Sequence, residues 1–210
     1  NTIIRHAQMP EGPDLLLVHL LEPHLYGEEY VETMLEVFEY LGVKKYSLVG
    51  AMYDMVPHTR PLIVSGVGVG SSIDEENLRM NVKTSNYEGP TTITYLIGQG
   101  AAKKGMDTRI YVVHLPQYFQ VEEDLSGTAR LVEILCRQYN LPDRLIESDR
   151  GKDQYQSLQK MFEEESEVSN LLQRLEEKYD KDNQESEISL GPLSQDIEEF
   201  LKSFDEGLSS

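Results

Sequence analysis

The stretch VGAMYDMVPHTRPLIVSG, residues 49–66, decides how this chain is read. An apolar run ends near Met52, and a second begins near Leu62. Between them Pro57 and Pro61 fix φ at two positions and remove two backbone donors. Each proline also drives the residue before it, Val56 or Arg60, toward extended backbone. The segment is therefore a stiff elbow between two buried strands, with His58, Thr59 and Arg60 fixed on it. In an open α/β sheet the carboxyl ends of the strands line the ligand crevice. His58 or Arg60 could there meet an anion or a carboxylate. The structural alternative is that Arg60 pairs with a neighbouring acid and His58 braces the turn.

Moving outward, strand and helix signals alternate. DLLLVHL (14–20) reads as a buried strand and YGEEYVETMLEVFEYLG (26–42) as a helix. In that helix Tyr30, Met34, Leu35, Phe38 and Leu41 form a stripe, and Gly42 supplies the stop. KYSLVGAM (45–52), PLIVSGVGV (61–69) and TRIYVVHL (108–115) read as further strands. Residues 85–105 read as a helix with Pro90 at its first position and Gly105 at its end. Residues 124–140 read as another, with Leu131, Ile134 and Leu135 inward. Continuous apolar strands alternating with amphipathic helices predict a three-layer αβα fold on a mostly parallel sheet.

The last third differs. Residues 147–210 hold 18 Asp and Glu against 7 Lys and Arg, over half of the formal net charge of −18. This shift predicts an αβα domain over 1–146 and an acidic helical tail over 147–210. The tail is expected to pack on the domain or on a partner chain. Residues 156–182 read as one helix with Leu158, Met161, Phe162, Val168, Leu171, Leu172 and Leu175 on a face; 182–195 as a polar loop; 195–204 as a short closing helix.

Composition narrows the function. A charge of −18 fits neither nucleic acid nor an anionic membrane surface, but suits basic or partly basic protein partners. The single Cys136 excludes an intrachain disulfide and a cysteine metal cage, and reads as a small buried residue. No apolar run reaches the ~18–20 residues of a membrane span. No signal peptide is visible, so the cytoplasm is the expected location.

Other segments carry weaker chemistry. In NYEGP (86–90) a helix start could offer free N–H groups to an anion, with Glu88 answering Arg60 or His58 and Tyr87 beside it. The alternating Gly66, Gly68 and Gly70 lack the Lys-Ser/Thr of a phosphate loop and read as close strand packing. His24, His58 and His114 fall at strand exits. With Glu22 they could hold a metal, but their spacing carries no ligand signature, and neither metal nor cofactor is expected. Tyr118, after Pro116, is placed at the crevice rim. No Gly-x-Ser-x-Gly elbow occurs, and Ser65 and Ser71 have no His/Asp pattern near them in sequence.

The segments VGAMYDMVPHTRPLIVSG, SNYEGPTTITYLIGQGAAKKGM and VVHLPQYF, in this order, resemble the proteasome assembly chaperone family, type two, as a bacterial or archaeal-type member. SQDIEEFLKSF (194–204) is similar to that family's closing helix. The resemblance covers roughly 14–145 and, more weakly, 190–204. It implies a phosphorylase/hydrolase-like αβα fold and a non-catalytic, chaperone-like protein that binds other proteins. The expected partners are a second copy of the chain and a protein client, proteasome-like by resemblance only. Two departures matter. The resemblance brings in further strand–helix units and a Gly-Trp-type turn before residue 14; this chain has no Trp and starts late. The first strands, and part of any crevice, are therefore expected to be absent. The chain also ends Leu-Ser-Ser, which does not support the hydrophobic-Tyr-any docking tail of some relatives. The competing expectation is a small-ligand binder or hydrolase/phosphorylase-like enzyme using the crevice near His58 and Arg60.

Overall fold

A computed structural model describes residues 2–10, 12–69, 77, 79–84, 92–162 and 166–188. Its central sheet has four strands: β3 (Lys45–Asp54), β4 (Val64–Val69), β5 (Val82–Thr84) and β6 (Asp107–Pro116), in the order β3-β6-β4-β5. β3 pairs with β6 in parallel and β4 with β5 in parallel; β4 runs antiparallel to β6. The sheet is thus mostly parallel, flanked by helices as in a three-layer αβα fold. The antiparallel step follows from the elbow. The connection from Asp54 to Val64 contains no helix, and a parallel return needs a crossover of a dozen or more residues. The chain instead passes over the end of β6 and runs back down as β4.

Side chains alternate across the sheet, so each face carries its own layer. On one face Val64, Val82, Tyr111, Val113 and Leu115 meet Ile134 of α3 (Leu125–Tyr139), with Leu131 packed against them. On the other, α1 (Gly27–Tyr40) and α2 (Ile93–Lys103) join Met34, Leu35, Phe38, Ile97, Ala101 and Met106 over Tyr46. Gly42 ends α1 at φ +70, a conformation that side chains disfavour; its N–H reaches Glu39 O at 3.0 Å and that of Val43 reaches Phe38 O at 2.9 Å. The close packing expected of the 65–72 glycines is seen at Gly66, where a Cβ would lie 2.7 Å from Val82.

Three readings are corrected. Residues 14–20 do form a strand, β2 (Leu15–His19), but outside the central sheet. It pairs antiparallel with β1 (Ile3–Ala7) in a separate two-stranded sheet, and Leu17 is 59 % exposed. An apolar run does not say how many neighbours it has; Val18 alone of its middle residues turns toward the core formed with α1. Next, α2 opens at Ile93 rather than at Pro90. Thr92 is its N-cap, in extended backbone, accepting from the Tyr95 N–H at 3.3 Å. Finally, the single helix expected over 156–182 is two: α4 (Ser148–Phe162) and α5 (Ser166–Ile188). α5 runs six residues into the expected polar loop, to Ile188, because the Gln and Glu there tolerate a helix as readily as a loop. The 195–204 helix lies outside the described residues.

α4 lies close against α3. A Cβ on Gly151 would fall 2.7 Å from Ser126 Cα. Gln154 of α4 accepts from the Leu125 N–H at 2.9 Å and donates to Glu123 O at 2.8 Å, joining the start of α3. No helix among the described residues is long and apolar enough to cross a membrane.

Candidate functional site

The elbow closes over the end of β6. Val56, Pro57 and His58 are buried, His58 with 6 % of its surface exposed. The phenol oxygen of Tyr118 accepts the His58 backbone N–H at 2.8 Å and also bonds to His58 Nδ1. Burial pushes the Tyr118 phenol up to about 12. The imidazole sits in an aromatic box, with ring centres of Tyr118, Phe119 and Tyr155 at 5.8, 5.7 and 5.9 Å. Burial lowers the His58 pKa, against a weaker opposing pull from Glu176, so the ring is held neutral. Tyr155 donates to Asp124 at 2.8 Å, and Asp124 caps α3 by accepting the Gly127 N–H at 2.7 Å.

Arg60 points the other way, to the acidic tail. Its Nε donates to Asp180 Oδ1 at 2.9 Å and its Nη2 to Asp180 Oδ2 at 2.8 Å, a two-pronged pair. Nη1 reaches Glu176 Oε1 at 3.1 Å. Thr59 Oγ1 donates to the same Glu176 oxygen. Tyr179 donates to Pro61 O at 2.8 Å. The hydrogen bonds from Arg60 hold the Asp180 carboxyl below the usual carboxylate range. Glu176, Tyr179 and Asp180 lie within four residues of one another, so one turn of α5 grips the elbow. Beside it lies a groove of about 730 Å³, bounded by His58, Arg60, Arg130, Lys152 and Tyr155.

The expected site residues thus divide. His58, Thr59, Arg60 and Tyr118 come together at the elbow. Glu22 is elsewhere: its Oε1 accepts from the Ile93 N–H at 3.4 Å, so a carboxylate of the protein itself faces the α2 N-terminus. His24 is exposed in the loop after β2. Tyr87 and Glu88 lie outside the described residues, as does Ser71. His114 projects from β6, and its hydrogen bonds go to neither His24 nor His58. It bonds instead to Ser65 of β4 at 2.9 Å and to Asp54 of β3 at 2.7 Å. Among the described residues no group of three or more His, Cys, Asp or Glu could hold a metal ion. Cys136 is buried, and burial raises its thiol pKa.

Sequence reasoning missed Glu176 and Asp180, which lie 116 to 120 residues from Arg60. The one available signal was an unassigned cation at a stiff elbow in a chain whose tail is acidic.

A family model for the PAC2 family matches residues 1–148. The chain belongs to the PAC2 family. Solved structures agree on the fold of this PAC2 chain. A protein of unknown function from Corynebacterium glutamicum is 23 % identical, with a TM-score of 0.70 over 82 % of this chain and 63 % of its own. A proteasome-assembly chaperone homologue from Mycobacterium tuberculosis is 20 % identical, with a TM-score of 0.68 over 82 % and 71 %. A PAC2 family protein from Streptomyces avermitilis is 22 % identical, with a TM-score of 0.64 over 81 % and 71 %. The chain spans 63 % of the Corynebacterium protein's length. No curated protein matches it.

Proposed function

We propose that this PAC2 chain is a protein-binding assembly factor of the chaperone type, whose client is a proteasome subunit. Membership of the family over residues 1–148 carries the reading. The likeness to the proteasome-assembly chaperone homologue from Mycobacterium tuberculosis suggests the client class. Two features of the chain support it. The elbow cation Arg60 is engaged by Glu176 and Asp180 of α5, which makes it a joint within the protein. Along β3, an edge strand among the described residues, Val49 (39 % exposed), Ala51 and Tyr53 (43 % exposed) lie on one face. An open strand edge with an apolar stripe is suited to docking a second protein chain. That chain is a client subunit or another copy of this one, and the protein acts in the cytoplasm.

Light scattering of the chain alone, then mixed with proteasome α subunits of its own organism, tests the reading. The expected result is a heteromeric peak in the mixture. Unchanged separate peaks would overturn the proteasome client.

The groove beside the elbow favours a second reading, a small ligand held near His58 and Arg60. A thermal-shift screen of anions and nucleosides tests it. A rise in melting temperature that disappears in His58→Ala/Arg60→Ala supports this reading, and a flat screen removes it.

A further inference from the structure

Three strands of the central sheet bring a serine, a histidine and an aspartate into one hydrogen-bonded line. Ser65 Oγ lies 2.9 Å from His114 Nε2, and His114 Nδ1 lies 2.7 Å from Asp54 Oδ2. The register explains the meeting. Met52 of β3 is level with His114, so Asp54 stands two residues beyond it on the same face. Ser65 is paired with Val112, which puts it diagonal to His114 on that face. Asp54 closes β3 and His114 lies near the end of β6, at the carboxyl edge where open α/β sheets bind ligands.

The proton positions follow from the bonding. The second oxygen of Asp54 accepts the Met55 N–H at 2.7 Å, which orients the carboxylate. Burial raises the Asp54 pKa, but the hydrogen bonds from His114 and Met55, with the Lys178 charge beside them, outweigh it and leave the group below its ordinary value. An ionised carboxylate only accepts, so His114 Nδ1 carries the proton it donates to Asp54. In the neutral ring, Nε2 then presents its lone pair to the Ser65 hydroxyl. This is the tautomer a serine nucleophile needs, with the base oriented by a third group. The His114 side chain is 16 % exposed and that of Asp54 41 %, so the line is reachable from solvent.

We propose that Ser65 is an acyl-accepting nucleophile, with His114 as its general base and Asp54 as the positioning residue, acting on neutral short-chain esters. Met52 and Val112 share the face with the array and are half-buried, which gives an apolar approach for a small acyl group. The net charge of −18 and the adjacent Asp54 disfavour an anionic substrate. Ser65 Oγ attacks the ester carbonyl carbon while its proton passes to His114 Nε2. The carbon–oxygen bond to the leaving alcohol breaks, and His114 returns the proton to that alcohol. Water then attacks the acyl-serine carbonyl, giving its proton to His114. The bond to Oγ breaks, Ser65 regains its proton, and the carboxylic acid leaves.

The full chain is treated with a fluorophosphonate probe, mapped by mass spectrometry, and assayed with p-nitrophenyl acetate. The probe is expected on Ser65. Hydrolysis should fall to the buffer rate in Ser65→Ala and by about 10²-fold in His114→Gln. Asp54→Asn should lower kcat with KM little changed, and Asp54→Glu should restore part of it. A Ser65→Cys chain covers the case in which the alanine variant fails to fold. Its thiol should react with iodoacetamide about tenfold faster than in Ser65→Cys/His114→Gln. A probe absent from Ser65, hydrolysis unchanged in Ser65→Ala, or thiol reactivity indifferent to His114 would each overturn the proposal.

Discussion

Arg60 and Asp180, 120 residues apart, meet in a two-pronged ion pair with contacts of 2.9 and 2.8 Å. The pair joins the proline-braced elbow to the last described helix. Both side chains are partly exposed, so the pair acts through geometry and number of bonds more than through burial. Glu176 and Tyr179 add bonds from the same turn of α5.

Arg60→Ala should therefore loosen α5 selectively. Hydrogen exchange by mass spectrometry should show faster exchange over 166–182 and unchanged protection in β3 and β6. Arg60→Lys should only partly restore protection, because an ammonium cannot make the parallel pair of bonds to Asp180.

His58 makes stability depend on pH. Its folded pKa lies below the ordinary value of 6.5 because burial disfavours the charged ring. The contribution is complete above pH 6.5. As pH falls below that, the unfolded chain takes up a proton that the folded chain refuses, and stability drops until folded His58 is itself protonated. Glu176, Tyr118 and Tyr155 face the ring, and Glu176 reduces the drop. Denaturant melts at pH 7.5, 6.5 and 5.5 should decline more steeply for wild type than for His58→Phe.

Tyr118→Phe removes the acceptor of the buried His58 N–H. Leaving that donor unsatisfied should cost about 1–3 kcal/mol in urea unfolding. The aromatic contacts with His58 and Phe119 survive the change, so the far-ultraviolet spectrum should not alter.

Gly151→Ala tests the crossing of α3 and α4. The added methyl would fall 2.7 to 2.8 Å from Ser126 backbone atoms, which cannot swing aside. The helices must separate, and the expected loss is about 1–3 kcal/mol by chemical denaturation. The same experiment at Gly50, where a Cβ meets nothing within 4 Å, should show a much smaller loss.

The sequence made the local features legible. Pro57 and Pro61 announced the elbow, Gly42 and Gly105 the ends of α1 and α2, and the apolar runs the three long strands. What it hid was pairing. Nothing in DLLLVHL says that its partner is β1 rather than β3, because a continuous apolar run suits either neighbour. Likewise His114 looked akin to His24 and His58, all being strand-exit histidines. Its actual partners, Ser65 and Asp54, are 49 and 60 residues away and appear only once the β3-β6-β4 register is known. The tail helix was legible as a helix, but its attachment to Arg60 required tertiary distances.

The most direct test of a protein-binding role is calorimetric titration of proteasome α subunits into the full chain and into Val49→Glu/Tyr53→Glu. Saturable binding to the wild-type chain is predicted, lost in the variant at an unchanged melting temperature. No binding to the wild-type chain, or equal binding to both, would contradict the account.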